Sequence, residues 1–257
     1  MAQWLILYRH EMLYRWRNKQ IVWLPLVMAI IAILDMLTYY YLPEVIELSG
    51  GLPEGAVFEV PSIEPYEAII MGLDQLSLIG TLIIVAIAMG TIASERKSGV
   101  AEIMLTKPIH PFYYITAKWF SLVSVTVFSL FIALLLNWYY TTILYGDISF
   151  HLFLQVFLFY SLWFVCILSL TMVWNAFSAK PGLVFSLSAI VLFLSFLIQT
   201  GFGHKLPYFP LQLTGHLEEL LITESISEAL VITSIILAGI SLIFIIVATI
   251  IFERKQL

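Results

Sequence analysis

The sequence predicts an all-α integral membrane protein with six transmembrane helices, and three observations carry that expectation: composition, the spacing of apolar runs, and the placement of basic residues. Of 257 residues, 61% are hydrophobic and 11% charged, and the mean hydropathy of +0.98 exceeds what a water-soluble core of this length requires. Apolar runs long enough for a hydrocarbon core of ~30 Å lie near 21–42, 69–93, 113–145, 150–178, 181–200 and 229–252. Barrel strands would alternate polar and apolar positions over about ten residues. These runs do not alternate, and a continuous apolar segment in lipid satisfies its own backbone as a helix. Residues 1–257 therefore read as one transmembrane domain.

The basic residues set the expected orientation. With the N-terminus in the cytoplasm, the inner segments hold Arg9, Arg15, Arg17, Lys19, Arg96, Lys97, Lys107, Lys118, Lys180, Arg254 and Lys255, and only Lys205 of the 12 basic residues falls outside. Most acids fall on the outer side, from Glu44, Glu47, Glu54, Glu59, Glu64 and Glu67 to Asp147, Glu218, Glu219, Glu224 and Glu228. This satisfies the positive-inside rule and predicts a multi-pass protein of the cell membrane with both termini cytoplasmic. The net charge of −5 thus describes a polarised molecule and gives no reason to expect a nucleic-acid partner. Aromatic clusters mark the same boundaries: Tyr39, Tyr40 and Tyr41, then Trp138, Tyr139 and Tyr140 outside, and Tyr113, Tyr114 and Trp119 inside.

Three segments outside the spans have their own character. Residues 1–20 place Leu5, Tyr8, Met12 and Trp16 on one helical face opposite His10, Arg17 and Asn18, as an amphipathic interfacial helix would. The same charges would serve a plain topology anchor, and the basic start shows no small-residue cleavage site. The outer loop 43–68, with four prolines, two adjacent glycines and six glutamates, reads as extended or mobile. Residues 201–228, broken by Gly201, Gly203, Pro207 and Pro210, read as an outer helical or re-entrant cap between the fifth and sixth spans.

The search for chemistry excludes several classes. No glycine-rich loop ends in Gly-Lys-Ser or Gly-Lys-Thr, so the chain has no phosphate cradle. No His-Glu-x-x-His or Gly-x-Ser-x-Gly occurs, and the one cysteine, Cys166, lies within the fourth span. The chain is therefore expected not to be an enzyme, and to bind no metal or cofactor itself; His204, His216, Glu218 and Glu219 lack a ligand spacing. Asp35 and Asp74 are acids within spans and hence candidates for a substrate path. Both lie roughly 24–30 Å from the inner boundary, where a carboxylate can also snorkel to interfacial water. Ala86, Gly90 and Ser94 form a small-residue stripe suited to helix packing on the second span.

The most informative segment joins the second and third spans, residues 94–119. Val100, Ile103 and Met104 form an apolar face on a short helix bearing Glu95, Arg96 and Glu102, and Pro108 and Pro111 end it. Such a helix suits a groove on another protein, or it rests on lipid headgroups. These residues resemble the permease subunit of a type-2 ABC transporter, in which a cytoplasmic coupling helix follows the second of six spans. The matching positions are Glu95, Arg96, Gly99, Glu102, Met104, Leu105, Thr106, Pro108 and Lys118; where that family often has Ser-Arg, this chain has His110 and Pro111.

The resemblance implies a separate cytoplasmic ATPase that binds ATP and Mg and docks on residues 94–107 and on the N-terminal helix. It implies a second permease chain, identical or paralogous, and outward movement of an amphipathic, peptide or lipid-like substrate. The alternative from the residues is an ion-coupled secondary transporter or channel using Asp35 and Asp74. No internal repeat and no matched pair of broken helices supports it.

Overall fold

The computed structural model describes residues 2–48, 61–99 and 110–255. These residues are helical almost throughout, with no strand among them. Helix α1 spans Ala2–Arg17, α2 Gln20–Leu48, α3 Pro65–Gln75 and α4 Thr81–Ala88, with a π-helical turn at Leu76–Gly80 between the last two. They are followed by α5 at Ala93–Lys97, α6 at Pro111–Leu144, α7 at Phe150–Phe177, α8 at Pro181–Phe202, α9 at Leu213–Thr223 and α10 at Glu228–Arg254. Six stretches are long and apolar enough to cross a membrane: Gln20–Ile46, Pro65–Lys97, Pro111–Leu144, Phe150–Phe177, Pro181–Phe202 and Glu228–Arg254.

The starts of these helices follow from local chemistry. Pro65, Pro111 and Pro181 occupy the first turns of α3, α6 and α8, where a missing N–H costs nothing. Ser149 and Ser227 cap α7 and α10 by accepting from Leu152 N and Leu230 N, each at 3.3 Å. Glu67 Oε2 reaches back to Glu64 N at 2.7 Å, fixing the start of α3.

Helix α7 is the centre of the bundle. In its most apolar stretch 67% of residues are buried, against 11% in α8, which runs along the outside. Around α7 pack α10, α6, α4, α8 and α9, while α6 also receives α1, α2 and α3. Where α2, α3 and α6 converge, Gly72 leaves no room for a side chain: a Cβ there would stand 2.5 Å from Ala32 O and 2.3 Å from Asn137 Nδ2. Asn137 in turn donates to Ala32 O at 2.8 Å.

Several expectations change. The N-terminal helix turns a stripe inward that overlaps the expected one only in part: Tyr8 and Met12 pack inward as expected and Trp4, Glu11 and Arg15 join them, whereas Leu5 and Trp16 are exposed. The cause lies on α6, whose Thr116, Ser121 and Ser124 hydroxyls and Lys118 ammonium offer polar partners that an apolar face could not satisfy. The first span does not stop near 42, because α2 continues through Pro43 to Leu48. Of the segment expected to be extended, 43–48 and 65–68 are thus helical, and Tyr39 donates to Pro61 O at 2.7 Å. Tyr114 is not an interfacial anchor but a fully buried residue stacked on Phe252. Of the small-residue stripe at Ala86, Gly90 and Ser94, Ala86 and Ser94 are exposed among the described residues. The cap between the fifth and sixth spans is a pair of short 3-10 turns, Gly203–Lys205 and Pro210–Gln212, leading into α9. It is held by buried Leu213, Leu217, Leu220 and Leu221.

Candidate functional site

Two clusters of polar side chains stand at opposite ends of the bundle. At the end carrying the basic residues, Lys118 lies two turns into α6 and is almost wholly buried. Its Nζ is 2.6 Å from Glu11 Oε1 on α1 and 2.6 Å from Glu95 Oε1 on α5. Tyr114 donates to the other oxygen of Glu95. One turn along α1, Arg15 Nε donates to Ser121 Oγ at 2.8 Å and Nη1 to Gln20 Oε1 at 3.1 Å. Burial pushes Arg15 down to about 10, partly offset by the nearby Glu11 carboxylate, so it stays cationic at neutral pH. Two cations therefore balance two carboxylates, and three separate segments, α1, α5 and α6, meet on one ammonium group. Every member is partnered and poorly exposed, which suits a mechanical clasp and not acid–base chemistry.

The same end contains the break in the second span. Between α4 and α5 the helix opens over Met89–Ile92, and Asn175 of α7 replaces the lost backbone partners. Its Oδ1 accepts from Ile92 N and Ala93 N, both at 3.1 Å, while Nδ2 donates to Ala88 O at 2.9 Å and Thr171 O at 3.1 Å. Arg96 Nη1 donates to Ala176 O at 2.7 Å. Gly99, at φ +74°, then turns the chain out of α5 in a backbone conformation that side chains resist. The expected continuous helix from residue 94 is thus interrupted at its fifth residue.

At the opposite end, under the cap, a cavity of about 390 Å³ opens between α3, the π-helical turn, α7, α8 and the start of α9 with the 3-10 turn before it. Asp74 and Ser77 lie on one side, Tyr160 and Trp163 on another, and Phe196 and Gln199 on a third. Tyr160 donates to Leu73 O at 2.7 Å, its hydroxyl lies 2.9 Å from Ser77 Oγ, and Trp163 Nε1 donates to Thr81 Oγ1 at 3.2 Å. The π-helical turn runs along this wall, a feature that recurs at functional sites. No hydrogen bond or ion pair from a described residue reaches Asp74; both ion pairs among the described residues belong to Lys118. Asp35 differs from it, because Gln75 Nε2 donates to its carboxylate and it does not line the cavity.

Of the residues expected to couple to a partner, Glu95 belongs to the clasp, Arg96 bonds Ala176 O beside the break in the second span, and Gly99 ends α5. Val100, Glu102, Ile103, Met104, Leu105 and Pro108 lie outside the described residues. Asp35 and Asp74, paired as one path in the sequence, are separated by structure into a bonded and an unbonded acid. Sequence reasoning missed Glu11, Arg15, Tyr114 and Asn175 as members of a site. One signal could have found the clasp: Lys118 sits well inside an apolar run, and an ammonium there requires a buried carboxylate. His216 binds Pro207 O at 2.8 Å within the cap. Among the described residues no three His, Cys, Asp or Glu side chains gather as a metal site.

No family model matches the chain. It is similar to the protein described as uncharacterized transmembrane protein YxlG of Bacillus subtilis (strain 168), with 30% identity over 165 residues, covering 64% of each chain. The chain thus spans less than two thirds of that relative's length. Together with the six long apolar helices, this similarity makes the chain a multi-pass membrane protein.

Proposed function

We propose that the chain is the permease subunit of an ATP-driven ABC exporter, working with a separate cytoplasmic ATPase and a second permease chain. The observation that carries the reading is the Lys118 clasp, which joins α1, the segment running from the second span toward residues 100–109, and the third span. A push on those residues would reach the bundle through Glu95, Arg96 and Asn175 without slack, as a coupling lever requires. With the clasp end in the cytoplasm, as the basic residues favour, an ATPase meets this lever directly. ATP and Mg belong to that partner, since the chain has no phosphate loop.

The test is copurification of a partner ATPase, with wild type and two variants. Met104→Asp, aimed at the apolar coupling face, is expected to release the ATPase; Glu102→Lys, a rim charge worth about 1 kcal/mol or less, should largely retain it. Full retention by stably folded Met104→Asp protein, or transport driven by an ion gradient without ATP, overturns the reading. An ion-gradient result would favour the second reading, a secondary transporter, for which unpartnered Asp74 beside a cavity is the supporting observation.

A further inference from the structure

We propose that the cavity beside Asp74 is a binding site for an amphipathic organic cation, an ammonium carried on an aryl or compact alkyl body. The inference concerns one pocket of this chain and does not depend on what drives transport.

Four observations converge on that ligand. The first is the acid itself: Asp74 lies in a span, lines the cavity and has no partner among the described residues. Its side chain is exposed, so the carboxylate is open to a ligand entering the space. The second is the sign of the surroundings. Neither Lys nor Arg lines the cavity and Asp74 is the one acid on its wall, so the local field favours a cation and repels an anion.

The third is the wall. Tyr160 and Trp163 spend their polar atoms on Leu73, Ser77 and Thr81 and form the buried aromatic floor of the space, while the exposed Phe196 offers a ring at its side. Aromatic faces with an adjacent carboxylate are the combination that recognises quaternary and alkylated ammonium groups. The fourth is size: about 390 Å³ accommodates a small aryl-ammonium and falls within the range of sites for small organic ligands.

The test uses the purified full chain in lipid nanodiscs, with benzyltrimethylammonium as probe and empty nanodiscs as the partition control. Phenylmethanesulfonate is the anionic counterpart, and calorimetry or saturation-transfer NMR gives the reading. Wild type should bind the cation saturably in the millimolar range or tighter and should not bind the sulfonate. Asp74→Asn, isosteric and uncharged, should weaken cation binding about ten-fold or more. Phe196→Ala, at an exposed position that tolerates truncation, should weaken it several-fold, and Asp35→Asn should leave it within about two-fold. The inference is overturned by any of three results: no saturable binding of the cation to folded wild type, equal binding of the sulfonate, or Asp74→Asn that binds as wild type does. None of these outcomes bears on whether an ATPase copurifies, so this site and the ATP-driven reading fail separately.

Discussion

The two ends of the bundle treat ionisable groups in opposite ways. Around Lys118 each charge has a partner at hydrogen-bond distance, and the cluster ties together segments more than a hundred residues apart. Around Asp74 the hydrogen bonds run among the neutral side chains and the acid is left over, beside an open space. A saturated network resists change because removing one member strands the others. An unsaturated one leaves room for a ligand. Position, by this comparison, says less about a charged residue in a membrane than the state of its partners.

The strongest way to break the comparison is Lys118→Met. It removes the ammonium that Glu11 and Glu95 share and leaves two carboxylates to Arg15 alone in a poorly hydrated site, and should destabilise the fold by about 3–5 kcal/mol, toward the lower figure because Glu95 is 26% exposed. A thermal melt in detergent checks it. Adding Glu11→Gln and Glu95→Gln to that variant removes the stranded charges and should recover much of the loss. If the triple variant melts no higher than Lys118→Met alone, electrostatics is not what holds the clasp.

A smaller effect is expected at Asn175. Replacing it with Leu keeps the approximate volume but leaves Ile92 N and Ala93 N without their acceptor, at roughly 1–3 kcal/mol for each stranded group. Hydrogen exchange should then rise first at residues 92–97, before the rest of the second span loosens. Uniform exchange across the bundle would show that Asn175 supports global packing and not the break.

The six spans and the cap were legible because lipid imposes long continuous apolar runs, and Gly201, Gly203, Pro207 and Pro210 punctuate them. The clasp was not, because its pairing joins Glu11 to Lys118 across 107 positions of sequence. Periodicity placed Tyr8 and Met12 of the N-terminal helix inward correctly and missed the rest of its buried face. Its apolar stripe at Leu5, Tyr8, Met12 and Trp16 is the one a water-exposed surface helix would bury, but against α6 the polar partners decide and Trp4, Tyr8, Glu11 and Arg15 turn inward. Asp35 and Asp74 looked alike because composition and depth cannot register that Gln75 donates to one and not the other.

That difference yields the smallest effect, and it sharpens the comparison most. Asp74→Asn removes a charge on which no described residue depends, so nothing is stranded and the stability of the ligand-free protein should stay within about 0.5 kcal/mol of wild type. Asp35→Asn keeps an oxygen that can accept from Gln75 but loses the charge assistance, and should cost somewhat more, about 0.5–1.5 kcal/mol. The expected order of loss is therefore Lys118→Met, then Asp35→Asn, then Asp74→Asn, although all three sites lie within apolar helices. Parallel melts of the three variants in one detergent measure that order. A loss at Asp74→Asn equal to that at Lys118→Met would mean the Asp74 carboxylate holds the fold together, and the two ends of the bundle would then be alike.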